Sequence, residues 1–434
     1  MEIIKNKFIN NFFFFIILLL PVIYISGSLL LNFSILLIII FSSFFLTKNS
    51  IKIFFNKYKY FLIFFLTIVI LNTFSSETKL FSISKLGAYL RFLIFPISYI
   101  YLILRLSKVD LKKISKFYFL IILFVIVDSL IQLIFGKDIF GFSYYHLYNR
   151  ITGPFGDEMI VGFYLLNFGI LTISFLNYFD LIKKNTNFYL FLFLALTILL
   201  TGERSAYLSF FYFLFFLFIF SKNKKIIFFT SISIVIASII LISNLNFLKN
   251  KYPIQQIIQS KILVENKNSI ISSDNLEDSS LDSINLKNIN NNIPIYKWLG
   301  HFERAIEIIE KNLFFGSGFR NYRIICFEYQ IKFFERKNIS KCSTHPHNFH
   351  LEILSDNGIV GYLAFIIFVF YLFTTFIKGK LNNNFGITII FCLILAFIFP
   401  FKPTGSIFTT NYAFVFWYLV GNYFFLIRNI KNLN

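Results

Sequence analysis

The sequence predicts an all-α polytopic membrane protein of about twelve transmembrane helices, each needing roughly 20 apolar residues, with one large loop between the ninth and tenth. Three observations carry this. Hydrophobic residues make up 57% of the 434-residue chain and charged residues only 14%, with mean hydropathy +0.72. A globular domain has about 25% charged residues and about 45–50% apolar ones, so the shortfall in charge argues against a water-soluble fold. The apolar residues also fall in long runs, and Lys and Arg gather in alternate loops between them.

Taken in order, the apolar runs are 8–25, 29–46, 60–74, 86–104, 117–135, 160–179, 188–201, 206–220, 226–243, 349–373, 386–399 and 408–427. The third, seventh and eleventh are short. No small-residue cleavage site follows the first run and a second begins at once, so the first is expected to remain a span. With the N-terminus cytoplasmic, the inside segments hold twenty Lys and Arg and the short outside loops six: Lys79, Lys85, Lys137, Arg150, Arg204 and Lys402. Basic residues favour the cytoplasmic side, so both termini are placed there. The net charge of +20 is therefore largely a topology signal. Nucleic acid is excluded as a partner and the lipid bilayer takes its place.

Three segments follow: membrane helices over 1–243, a large outer loop over 244–347, and further membrane helices over 348–434. Within the loop, the Asn/Ser-rich stretch at about 261–293 reads as a polar insert with little structure of its own. Phe302, Ala305, Ile306, Ile309 and Leu313 stand at helical spacing. They predict an amphipathic helix over about 298–315, ended by Gly316 and Gly318.

Ionisable residues in or beside a bilayer are costly and mark functional candidates. Arg91, in "KLGAYLRFLIFP", is either a snorkelling side chain or a functional cation. Arg150 precedes the sixth span in "YNRITGPFGDEMIVGFYL"; Asp157 and Glu158 are expected in that helix's first turn, where carboxylates suit the helix dipole. Arg204 lies in "LLTGERSAYLSF", a tight hairpin that pins its guanidinium at the membrane edge, with Glu203 as a candidate partner. A planar five-donor fork at that depth suits diphosphate. Arg320 and Arg323 follow "FFGSG", which reads either as a weak phosphate loop or as a helix cap followed by solvated basic residues. Asp128 is the acid lying well inside a span.

The densest feature is "CSTHPHNFHLEILSDNGIVGYLAF". If its helix starts near Pro346, then His347, His350, Leu351, Leu354, Gly358 and Gly361 fall on one stripe. Glu352 and Asp356 face away from that stripe. Gly358 and Gly361 would open a groove for close helix or lipid approach. Cys342, His345, His347 and His350 have metal-ligand chemistry, but their spacing fits no zinc pattern, so no metal is assigned. A solvated cluster without a role is one alternative; His347 as a general base is the other, imidazole being suited to that work near neutral pH. Cys326 and Cys342, sixteen positions apart, are a candidate disulfide in an oxidising compartment. Cys392 is expected to be inert packing.

These residues carry a resemblance. His347-Asn348, nine residues, Gly358, two residues and Gly361 resemble the His-Asn-x9-Gly-x-x-Gly signature of the O-antigen ligase family, which is related to the O-antigen polymerases. Arg204-x3-Leu208 is similar to that family's Arg-x3-Leu element. The resemblance implies a glycosyltransferase of the bacterial inner membrane with a periplasmic active site. It would transfer glycan from an undecaprenyl-diphosphate-linked donor to an acceptor hydroxyl, on lipid A core in a ligase or on another repeat unit in a polymerase. Arg204 would bind the donor diphosphate and His347 would be the catalytic base, with no cofactor or metal. Arg150, Arg91, Arg320, Arg323, Asn348 and His350 would complete the diphosphate and substrate site. The family's second essential arginine has three contenders here, Arg304, Arg320 and Arg323. A transporter or flippase of lipid-linked sugars is the alternative class, though it would place charge near the bilayer midplane. Protein O-glycosylation is a further possibility within the family.

Overall fold

A computed structural model of the protein describes residues 2–43, 70, 76, 78–143, 150–245, 248, 294–332 and 342–433. Among these there is no strand. The insert at 261–293 and nearly all of the third predicted span lie outside the described residues. Every other predicted span coincides with a helix: α1 (Glu2–Ile25), α2 (Ser28–Ser43), α3 (Lys79–Ile103), α4 (Lys108–Phe135), α5 (Val161–Tyr178), α6 (Thr186–Leu200), α7 (Arg204–Phe220) and α8 (Lys224–Asn244) precede the large loop. The loop contributes α9 (Pro294–Lys311) and α10 (Tyr322–Lys332), and α11 (Phe349–Lys378), α12 (Phe385–Phe397) and α13 (Thr410–Leu433) follow. By length and composition α3, α4, α5, α8 and α11 can each cross a membrane, and five more apolar helices are shorter.

Local chemistry sets several ends. Ser107 caps α4, its side chain accepting from Asp110 N–H, and Gly136 closes the helix in the left-handed region at φ 76°. The carboxamides of Asn384 and Asn348 cap α12 and α11 in the same way.

Every residue of α12 from Gly386 to Phe397 is buried, which puts this helix at the centre of the bundle. It packs on α5 and α7. The approach to α5 is close: Ser174 Oγ donates to Gly386 O at 2.7 Å, and a Cβ on Gly386 would lie 2.6 Å from Ser174 O. α13 packs on α3, where Tyr99 donates to Asn422 at 2.7 Å. At the periphery apolar side chains face outward, among them Phe229 at 62% and Phe370 at 68% exposure. A surface of that kind fits hydrocarbon surroundings rather than water.

Four sequence expectations are corrected. α9 runs from Pro294 to Lys311, so residues 312–315 form the turn before Gly316 instead of its last turn. Asp157 and Glu158 are exposed in the turn ahead of α5, which starts only at Val161, so they do not cap its first turn. α11 starts at Phe349, because Asn348 is its cap; His347 stands outside the helix at φ 55° and shares no helical stripe with His350. Gly358 is a break in α11 (φ 63°, ψ −173°) and not a groove in a regular helix.

Candidate active site

The break at Gly358 builds the floor of the site. Where the helical ladder is interrupted, Ser355 and Asp356 offer their carbonyls to Ser317 and Gly318 N–H, while Ile359 and Val360 N–H donate to Leu313 and Phe314 O, at 2.9–3.2 Å. The turn after α9 is thus stitched into α11 by four backbone hydrogen bonds. The Asp356 carboxylate then takes Tyr322 N–H at 2.8 Å at the start of α10, the role of an N-cap supplied from another helix. Asn321 reaches the other way, accepting from Thr78 Oγ1 at 2.6 Å, and Phe319 packs on Tyr89 and Phe408.

This arrangement holds Arg320 and Arg323 beside the histidines. Arg320 sits at φ 61°, and with His347 it accounts for two of the four non-glycine residues with positive φ among the described residues. Such backbone persists only where its surroundings dictate it, and it gathers at functional sites. Neither Arg320 nor Arg323 has an ion pair among the described residues, and the Nε atoms of both are buried without a hydrogen bond there. Burial, then the charge of Arg323, lowers the affinity of Arg320 for its proton. Arg91 is close enough to add to that repulsion; its guanidinium lies over the Phe92 ring and donates to Ala88 O. Arg304 differs, being buried and paired with Glu307 at 2.7 Å.

The rings of His345 and His347 are 4.2 Å apart, and that of His301 from α9 is 4.9 Å from His347. Burial pushes His347 down to about 3, assisted by the charges of His345 and His301. Burial and then Arg323 push His345 down to about 4. Both imidazoles are therefore neutral near pH 7. Cys326 of α10 and Cys342 are joined by a disulfide that ties this segment to α10. Asn348 and His350 are committed elsewhere. The Asn348 carboxamide caps α11 and donates to Pro400 O, and His350 meets Tyr362 OH and Ile398 O through its two ring nitrogens. Gly361 is buried in α11, Cys392 is buried in α12, and Asp128 accepts Ile139 N–H within α4's end.

Arg204 begins α7 directly after a three-residue turn, Thr201 to Glu203. That turn is fixed by Ile151 N–H donating to Thr201 O, next to Arg150, and by Glu203 Oε2 accepting from Phe163 N–H at 3.0 Å. Gly162 is needed there, since a Cβ on it would stand 2.8 Å from Glu203. A cavity opens between α5, α7 and residues 402–412, lined in part by Asn167, Ser205, Ser209, Lys402 and Tyr412. Ser205 and Ala206, which follow Arg204 in α7, line this cavity together with Phe349, two residues after His347. Among the described residues no group of three or more His, Cys, Asp or Glu is arranged to hold a metal ion.

Sequence reasoning missed His301, Lys402, Glu352 and Asp356. The acids were set aside because they face away from His347, which is where their partners are: Glu352 receives Ser406 Oγ and Ile407 N–H. An acidic pair facing away from a motif, in a helix that must anchor a loop, was the available signal.

Apolar helices long enough to cross a bilayer, together with a group of half-buried arginines and neutral imidazoles, fit a multi-pass membrane protein with a polar site. Residues 189–366 match the family model described as O-antigen ligase. The match runs from α6 through Arg204, the large loop, His347 and Gly361. That family covers O-antigen ligases and related polymerases, membrane enzymes of the glycosyltransferase kind. No curated protein matches the chain.

Proposed function

We propose that the protein transfers a polysaccharide from an undecaprenyl-diphosphate-linked donor to an acceptor hydroxyl on lipid A core, at the periplasmic face of the inner membrane. One observation carries the reading: the half-buried Arg320 and Arg323, with no ion pair among the described residues, stand beside His345, whose ring lies close to that of His347, and both imidazoles are held neutral. In this reading the chain spans the membrane about twelve times. Both termini are cytoplasmic, residues 244–347 form a periplasmic loop between membrane segments 1–243 and 348–434, and the site faces the periplasm.

His347 takes the proton of the acceptor hydroxyl, whose oxygen attacks the anomeric carbon of the donor. The anomeric C–O bond breaks and undecaprenyl diphosphate departs with the bonding electrons. Arg204, Arg320 and Arg323, with Arg91 and Arg150 at the margins, hold the diphosphate charge as it grows, which is preorganised electrostatic stabilisation without a divalent ion. Burial and the neighbouring His345 and His301 lower the proton affinity of His347. A diphosphate arriving beside it raises that affinity, so the imidazole becomes a better base when the donor is present. Asn348 and His350 support the site through the backbone and do not meet substrate.

Replacing His347 with Ala in the native host and resolving lipopolysaccharide on a gel tests the assignment. The expected result is loss of polymer-capped lipid A core with polymer retained on the lipid carrier; unchanged capping would sink it. Loss of polymer itself, leaving single repeat units on the carrier, would assign the polymerase reaction instead.

A further inference from the structure

The segment from Ile398 to Ile407, between α12 and α13, lies along the first turn of α11 and is bonded to it or to its cap at five of its ten residues. Ile398 O meets His350 Nε2 at 2.6 Å and Pro400 O takes Asn348 Nδ2–H at 2.7 Å. Thr404 N–H donates to His347 O at 2.7 Å, and Thr404 Oγ1 accepts Phe349 N–H at 3.0 Å. Ser406 and Ile407 close the strap on Glu352. The backbone carbonyl of His347, at its unusual φ, is thus held by this strap.

Lys402 stands at the middle of the strap, and its side chain reaches α7 and α12. It is 9% exposed and has no ion pair among the described residues. Its Nζ donates to Ser209 Oγ at 2.9 Å and to Ala396 O at 2.7 Å. Ser209 lies on α7, the helix that Arg204 begins, and Ala396 lies in α12. Sequence gave Lys402 no role beyond an outside basic residue. We infer that Lys402 is a positioning residue that ties the strap under His347 to the helix bearing Arg204, fixing the distance between the two ends of the proposed reaction. This inference rests on the glycosyl-transfer reading for its consequence, though not for its geometry.

A buried amine with no carboxylate nearby is an expensive way to fill space, and its burial has a cost that a methionine would avoid. Burial brings the Lys402 ammonium down to about 7. A neutral amine keeps two N–H groups, as many as the acceptors it meets here. Both acceptors need N–H donors, and Gln, with two amide N–H groups, is the conservative replacement while Met is the disabling one.

The experiment uses the purified full-length protein, following hydrogen exchange of the Thr404 and Phe349 amides alongside donor kinetics. In K402M, exchange at both amides is expected to rise about tenfold, with amides of α12 unchanged. The turnover number should fall about tenfold while the donor KM moves less than about threefold. K402Q should stay within about threefold of the native protein in both measurements. Unchanged exchange in K402M overturns the inference, as does exchange raised throughout α12, which would mean a general loss of stability. A raised donor KM at constant turnover would make Lys402 a substrate contact and overturn it too. Should K402M fail to fold, S209A removes one of the two anchors; a rise of about threefold in Thr404 exchange is expected, and no rise overturns the inference. An H347A protein that remains active would remove the glycosyl-transfer reading while leaving the exchange result standing.

Discussion

Gly316 and Gly358 meet backbone to backbone. A Cβ on Gly316 would stand 2.4 Å from the Asp356 carbonyl, and one on Gly358 would stand 2.3 Å from Phe314 O; both residues are at positive φ, 71° and 63°. The close approach is what lets the turn after α9 share hydrogen bonds with the interrupted ladder of α11. G358A and G316A are each expected to cost about 3 kcal/mol or more, since left-handed strain and a backbone clash add. Thermal unfolding of the detergent-solubilised variants measures this. The loss should be larger than for Ala at Gly87, where a Cβ would meet nothing within 4 Å.

The disulfide between Cys326 and Cys342 closes a loop of sequence separation 16. A loop of that size contributes about 3 kcal/mol by limiting the unfolded chain. Reduction, or a C326S/C342S pair, is expected to lower the unfolding temperature and to increase exchange in residues 342–348 before the rest of the bundle. Equal unfolding of the oxidised and reduced protein would contradict it.

Helix existence was legible in the sequence because a bilayer demands long apolar runs; the runs at 86–104 and 117–135 are the cores of α3 and α4. Their ends were less so. α4 starts at Lys108, where charged residues continue a helix that hydropathy cannot see. The site was legible as residue types, since Arg204 and His347 stood out against an apolar background. Their geometry was not. The position of His347 is set by Thr404 and Pro400, some fifty residues away, and the helix break at Gly358 is set by a loop that precedes it. Periodicity reads contacts along one helix, and these contacts are between segments.

Stability should fall with acid in a defined window. His345 and His347 are held neutral in the folded protein, at about 4 and about 3, whereas in the unfolded chain they take a proton near 6.5. Between those limits the unfolded state binds more protons, so their contribution is complete above about pH 6.5 and is lost as pH falls toward 4. Going from pH 7 to 5.5 should cost about 1 kcal/mol per histidine. Thermal or denaturant unfolding at the two pH values measures it. In an H345Q/H347Q protein the pH dependence should shrink by about 2 kcal/mol; an unchanged slope would mean that both rings take up protons in the folded protein as readily as in the unfolded chain.

The three arginines of the large loop should separate by function. Arg304 is buried and paired with Glu307, so its charge is already answered. Arg320 and Arg323 have no such partner among the described residues, and they repel one another, which an anion bound between them would relieve. R304M is therefore expected to cost roughly 1–3 kcal/mol of stability, by leaving a buried cation's partner behind. It should leave donor KM within about threefold. R320N and R323Q should do the reverse, raising donor KM about tenfold or more each with little change in unfolding. Asn is the suitable replacement at 320 because its φ of 61° is one that Asn adopts readily. R323K should recover only part of the loss, since an ammonium lacks the paired donors of a guanidinium. Donor titration by each variant at fixed ionic strength reads the outcome. If R304M alone raised donor KM, the diphosphate would have to lie on the α9 side of the histidines, and Arg320 and Arg323 would be left as structural cations.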